Sequence, residues 1–393
     1  MTTPVRSSSR PPSLRTPAAA QAPWLRFVIV LALLFVFMLG VNGLGDGFKS
    51  LSRDFVESFF DATSNPFVSL MVGVLTTTLV QSSSVSTSLV VGLVAAPENP
   101  LPLANAIPMI MGANIGTTVT NTIVSLAHIG RQEEFRRAFA VATCHDFFNY
   151  ITVLILLPIE LFTGYLQRTA IFLSSWVTSL GGAEYDSPIR GAIQLGGVPI
   201  RAAIGLITDS PEIRAILLIG VSGVFIFIAL FLLVRTMRSA MQNQVERIVE
   251  RTIGQSAILG MIVGVILTVM VQSSSITTSL LVPLAGAGLL TLPQAFPITI
   301  GANIGTTVTA FLAALAATGV NAEAGVTIAL VHLMFNLSGT LLIFPVPAIR
   351  NIPLAAARRL AETAVRSRRW ALLYVLVLFY GLPTLFAVLD RLL

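Results

Sequence analysis

The sequence predicts an all-α polytopic membrane protein made of two inverted-topology repeats, each with a re-entrant helical hairpin and broken helices. Three observations predict it. Of 393 residues, 54% are hydrophobic and 11% charged, with a mean hydropathy of +0.85, whereas a soluble domain carries about 25% charge. The chain repeats itself: VGVLTTTLVQSSSVSTSLV precedes GANIGTTVT, and about 190 residues later VGVILTVMVQSSSITTSLL precedes GANIGTTVT again. A third echo follows each pair, His145-Asp146-Phe147-Phe148-Asn149 and His332-Leu333-Met334-Phe335-Asn336. Finally, both copies interrupt an apolar run with a polar stretch. Duplicated halves with interrupted apolar segments are the sequence mark of a secondary transporter.

In chain order, residues 1–23 are rich in Ser, Pro, Arg and Ala and lack apolar periodicity, so a disordered cytoplasmic tail is expected. The apolar run at 24–42 suits a spanning helix better than a cleaved signal, whose apolar region is shorter. Half-length segments at 66–80 and 82–96 flank Gln81-Ser82-Ser83-Ser84. They are too short and too polar at their junction to cross singly, so they read as a hairpin entering and leaving on one side, with its irregular backbone lining a cavity or buried in protein. Full spans at 104–128 and 138–163 complete a first unit, 24–163. Residues 164–213 contain Gly181-Gly182, Pro188, Gly196-Gly197 and Pro211 and read as an outer loop, with amphipathic character around 200–207 that suggests an interfacial helix. The second unit, 214–349, has a span at 214–234, half-length segments at 254–271 and 273–290 around Gln272-Ser273-Ser274-Ser275, and spans at 295–317 and 325–346. Residues 350–393 supply a basic inner loop and a C-terminal helix at 370–390.

Arginine sets the orientation. With the N-terminus cytoplasmic, the inside segments hold seventeen basic residues and the outside segments seven, as the positive-inside rule requires. The first hairpin then enters from outside and the second from inside, which inverts the halves. The charge lies in short loops between apolar runs and makes no nucleic-acid patch. The single cysteine, Cys144, excludes an internal disulfide and a cysteine-based metal site.

The polar stretches carry the chemistry. Hydroxyls donate and accept, and Gln adds an amide. An interrupted helix exposes carbonyls to a hard cation such as Na⁺, and the half-helix beyond it turns free N–H groups toward an anion. Asn114 and Asn303 add carbonyl oxygens, while Gly112, Gly116, Gly301 and Gly305 permit close helix approach. No Arg or Lys lies near either motif in sequence, so cations must balance the anion and the two bind in a coupled way. Ser, Thr and Gly in membrane helices also serve packing, but duplication preserved these while apolar neighbours drifted. His145 and His332 are proton carriers or hydrogen-bonding residues at helix ends. Asn149 and Asn336 read as helix bridges. Asp146 is an ion ligand or a partner of Arg136 or Arg137.

The QSSS pair, GANIGTTVTNTIVSL, ITIGANIGTTVTAFLAALA, EFRRAFAVATCHDFFN and ALVHLMFN resemble the type II sodium-coupled phosphate cotransporters over roughly 60–350. The resemblance implies a symporter that imports inorganic phosphate on the sodium gradient by alternating access. It implies phosphate contacts at Gln81, Ser82, Ser83, Ser84, Gln272, Ser273, Ser274 and Ser275. For sodium it implies Ser83, Thr268, Gln272, Ser274, Asn114, Thr117, Asn303 and Thr306. The expected partners are inorganic phosphate, Na⁺ and the lipid bilayer of the cell membrane, without organic cofactor, transition metal or nucleic acid; a homodimer stays open. Electrogenic members carry an extra aspartate before the middle outer loop, for which Asp186 is the candidate, and the coupling ratio stays open. The rivals are another anion or H⁺ on the same scaffold, a phosphate-sensing receptor, and an intramembrane serine hydrolase, which lacks a GxSxG elbow and an orienting acid for His332.

Overall fold

A computed structural model describes residues 23–51, 63–180, 188–252, 256–317 and 320–389; most of the predicted tail and Asp186 lie outside them. Every regular element among the described residues is helical. The first half comprises α1 (Pro23–Lys49), α2 (Pro66–Val80), α3 (Ser83–Val94), α4 (Leu103–Gly116), α5 (Val119–Leu126), α6 (Gln132–Thr163), α7 (Tyr165–Leu180) and α8 (Pro188–Gly205). The second comprises α9 (Pro211–Thr252), α10 (Ala257–Val271), α11 (Ser274–Gly286), α12 (Leu292–Ala316), α13 (Ala322–Ile343), α14 (Pro347–Arg366), α15 (Arg368–Val375), a π-helical turn (Leu376–Gly381) and α16 (Leu382–Leu389).

Six stretches among the described residues are long and apolar enough to cross a membrane: Trp24–Phe48, Gln132–Thr163, Pro211–Leu233, Leu292–Ala316, Ala322–Ile343 and Arg368–Phe386. Seven full spans were expected. The difference is the segment 104–128, which divides into α4 and α5 at Thr117 and Thr118, whereas its copy α12 runs unbroken. The threonine hydroxyls do not account for this. Thr117 donates to Ala113 O and Thr118 to Ile115 O, both at 2.8 Å, and Thr306 and Thr307 make the same bonds in α12 at 3.0 and 2.8 Å. The stretch expected as an outer loop is mostly two helices, α7 and α8, and the expected basic inner loop is mostly α14. Arg201 on α8 pairs with Asp46 on α1 at 2.8 Å. Phe162 and Leu206 stay 90% and 91% exposed, a surface that suits lipid.

Glycine governs the packing within each half. A Cβ at Gly73 or Gly112 would strike the main chain of Met109 or Leu70, which seats α2 directly on α4. A Cβ at Gly264 or Gly301 would strike Ile298 or Met261, which seats α10 on α12 in the same manner. A Cβ at Gly116 or Gly305 would likewise meet Val74 O at 2.6 Å or Val265 O at 2.8 Å, so the four glycines of the GANIG motifs act as the close-approach residues expected of them. The second arm of each broken pair does the reverse. Helix α3 packs on α12 and α13, and α11 packs on α5 and α6. Each half therefore lodges one helix inside the other, and α1 lies along α9 beside them.

Candidate functional site

Both polar stretches break the chain in the same way. Asn65 caps α2 and Ser256 caps α10, their side chains accepting from Phe67 N at 3.0 Å and Leu259 N at 3.2 Å. Each helix then stops at its glutamine, with Gln81 at φ 54°, ψ 29° and Gln272 at φ 56°, ψ 28°. These are two of the three non-glycine residues with positive φ among the described residues. For an L-residue that conformation costs about 1–2 kcal/mol, so the surroundings must hold it. The serine that follows is extended and caps the next helix. Ser82 accepts from Val85 N at 3.4 Å, and Ser273 from Ile276 N at 3.3 Å.

The two breaks meet in one cavity of about 340 Å³, lined by Gln81, Ser82, Ser84 and Thr120 from the first half and by Gln272, Ser273 and Ser275 from the second. Phe227, Leu230 and Phe231 of α9 form an apolar wall, and no charged side chain lines it. Helix geometry leaves the first N–H groups of α3 and α11 without intrahelical partners, and the last carbonyls of α2 and α10 likewise. The halves are hydrogen-bonded across the cavity. Ser84 Oγ donates to Thr309 Oγ1 at 3.4 Å, Thr309 donates to Gln272 Oε1 at 3.2 Å, and Gln272 Nε2 donates to Val269 O at 2.6 Å. Thr120, the copy of Thr309, keeps a buried hydroxyl with no partner. The third threonine of GTTVT was missed in the sequence reading, although its duplication at constant spacing was the signal for it.

Six of the expected phosphate residues thus share one cavity; Ser83 and Ser274 are buried and do not line it. The other expected sodium residues, apart from Gln272, do not line it. Thr117 and Thr306 bond back to their own helices, and Thr268 donates to Thr277 Oγ1 at 3.0 Å, tying α10 to α11. Asn114 and Asn303 belong to a buried network crossing between halves. His145 Nε2 donates to Asn303 Oδ1 at 2.6 Å, and His332 Nε2 to Asn114 Oδ1 at 3.4 Å. Asn303 donates to Asn149 Oδ1 at 2.8 Å, Asn149 to Asn114 O at 2.7 Å, and Asn336 to Asn114 Oδ1 at 3.3 Å. The histidines are therefore hydrogen-bonding residues in mid-helix rather than at helix ends, and Asn149 and Asn336 bridge helices as expected.

Asp146 pairs with neither arginine. It accepts from Tyr374 Oη at 2.7 Å and Thr122 Oγ1 at 3.4 Å, while its Oδ1 has no partner. Arg136 is held by Glu133 at 2.8 Å, and Arg137 by the carbonyls of Ala285 and Gly286. Asn121 accepts from both Thr278 and Ser279 at 2.9 Å, a second tie between halves.

A polar cavity walled by duplicated helix breaks, inside an apolar bundle with several helices long enough to span, defines a membrane transport protein rather than an enzyme. A family profile described as Na+/Pi-cotransporter matches residues 36–179 and 225–385. The chain belongs to that family. It is 34% identical to sodium-dependent phosphate transport protein 2A of Mus musculus over 92% of this chain and 67% of that protein. It is 32% identical to sodium-dependent phosphate transport protein 2B of Homo sapiens over 91% of this chain and 64% of that one. No solved structure matches the chain.

Proposed function

We propose that this protein is a sodium-coupled importer of inorganic phosphate, with phosphate held between the two QSSS breaks. The observation that carries the reading is the single cavity lined by Gln81, Ser82, Ser84, Gln272, Ser273 and Ser275 without a charged side chain. Each helix N-terminus offers roughly half a positive charge, so α3 and α11 together supply about one. A divalent phosphate leaves about one negative charge unbalanced. The carbonyl ends of α2 and α10, with the adjacent serine hydroxyls, offer oxygen ligands for a cation that makes up the difference. Phosphate and Na⁺ then bind together because neither is balanced alone, a reciprocal coupling.

The two broken pairs act as re-entrant hairpins from opposite faces of the cell membrane, with the N-terminus cytoplasmic, a reading that the arginine distribution supports. Alternating access follows from rocking two inverted halves about the breaks. The lodging of α3 in the second half and of α11 in the first supports this, since neither half moves without carrying an arm of the other.

The test is uptake of radiolabelled phosphate into proteoliposomes under an inward Na⁺ gradient, against a choline control. Uptake that requires Na⁺ and disappears in Gln272→Ala and Ser273→Ala supports the reading. Uptake indifferent to Na⁺ removes the coupling ion, and wild-type uptake in both variants removes the site.

A further inference from the structure

A second cavity, of about 250 Å³, shares no lining residue with the first. It lies where α6 and α12 begin, beside α14. Three guanidinium groups line it, Arg136, Arg137 and Arg358, against one carboxylate, Glu362. The three differ in what they already hold. Arg137 is fixed: its Nε donates to Ala285 O at 3.2 Å and Gly286 O at 3.1 Å, and its Nη2 to Gly286 O at 2.7 Å. Arg136 spends one N–H on Glu133. Arg358 has no hydrogen-bond or ion-pair partner among the described residues. Buried Leu290, with Leu292 and Pro293 of the first turn of α12, makes an apolar side to the same cavity, and the α12 N-terminus adds a dipole that favours an anion.

We propose that this cavity binds a phosphate-bearing anion, either the headgroup of an anionic phospholipid or free inorganic phosphate. Arg358 and Arg136 are the ligands, and Arg137 fixes the wall between them. Guanidinium forks match phosphate oxygens in pairs. Basic pockets between helices at a membrane surface recognise phospholipid headgroups, and the apolar side fits the start of the acyl chains of such a lipid. Because Arg137 grips the end of α11, whose other end starts at the Ser273 break, an occupant steadies that arm. The inference does not depend on which solute the central cavity carries.

The test uses the purified full-length protein in detergent, with bound species read by native mass spectrometry. Phosphatidylglycerol, phosphatidylcholine and inorganic phosphate are offered to the wild type, to Arg358→Gln, to the double variant Arg136→Gln/Arg358→Gln and to Glu362→Gln. The wild type retains phosphatidylglycerol over phosphatidylcholine. Retention falls about five-fold for each arginine removed and rises in Glu362→Gln. Millimolar inorganic phosphate that displaces the lipid, and is itself bound with the same arginine dependence, identifies free phosphate as the natural occupant; lipid that resists displacement identifies the headgroup. Equal retention of phosphatidylglycerol in wild type and double variant, or of both lipids in the wild type, overturns the site. The three residues replaced, Arg136, Arg358 and Glu362, are exposed, and a melting temperature for each variant separates lost binding from lost folding.

Discussion

Replacing Gln272 by alanine is expected to lower both stability and transport, whereas the same change at its copy Gln81 lowers transport alone. The two residues share sequence context and backbone angles, so left-handed strain is common to both variants and cancels. Their side chains differ. Gln272 donates to Val269 O and accepts from Thr309, which is 1% exposed. Gln81 makes no side-chain hydrogen bond among the described residues and faces the cavity. A net hydrogen bond contributes about 1 kcal/mol, and a partner left buried and unsatisfied costs about 1–3 kcal/mol. Gln272→Ala strands a carbonyl and a hydroxyl and so costs about 2–4 kcal/mol on this scale. At about 2 °C per kcal/mol for a chain of this size, the melting temperature in detergent falls by about 5 °C. Gln81→Ala leaves it within about 1 °C, and Gln81→Gly raises it, because glycine accepts positive φ freely. Phosphate uptake in proteoliposomes is lost in all three. Equal melting shifts in Gln272→Ala and Gln81→Ala would refute the asymmetry and with it the Ser84–Thr309–Gln272 connection.

Thr309→Val removes that connection without changing shape, so a roughly five- to ten-fold rise in the apparent KM for phosphate or Na⁺ is expected at about 1 kcal/mol per hydrogen bond; Thr309→Ser restores wild-type values, and uptake titrations measure both. A Cβ at Gly301 collides with the Met261 main chain, so Gly301→Ala forces α10 from α12 and yields little monodisperse protein by size-exclusion chromatography. Gly130→Ala, where a Cβ meets nothing within 4 Å, purifies as wild type. A double-mutant cycle on His145→Ala and Asn303→Ala, read by melting, is expected to give a coupling of about 1 kcal/mol or more; additive shifts would mean the 2.6 Å bond contributes nothing.

The breaks at Gln81 and Gln272 were legible because a run of hydroxyls inside an apolar stretch cannot continue a buried helix cheaply, and because the chain makes the same exception twice. The glycine contacts were legible for the same reason. The interruption at Thr117 and Thr118 was not, since an identical GANIGTTVT stays helical in α12; the residues that follow differ, Asn121-Thr122 against Ala310-Phe311, and Asn121 is bound by Thr278 and Ser279 of the other half. Helices α7 and α8 stand where Gly181-Gly182, Pro188, Gly196-Gly197 and Pro211 look like breakers, yet Gly196-Gly197 is accommodated inside α8, and Pro188 and Pro211 open α8 and α9. In sequence the cations nearest Asp146 are Arg136 and Arg137. Its partner, Tyr374, is 228 residues away, beyond the reach of any local pattern.

The crossed bonds, His145 to Asn303 and His332 to Asn114, bear on how the protein is made. Synthesis delivers the first half to the membrane before α12 and α13 exist. In that interval Asn114, His145 and Asn149 are polar groups in an apolar phase, and each one left unsatisfied there costs several kcal/mol. The growing chain is therefore expected to remain at the insertion machinery, sheltered from lipid, until the ribosome has passed Asn336. Two fragments divided between the halves and produced together in one cell would complete each other; either fragment alone would be a substrate for the membrane proteases.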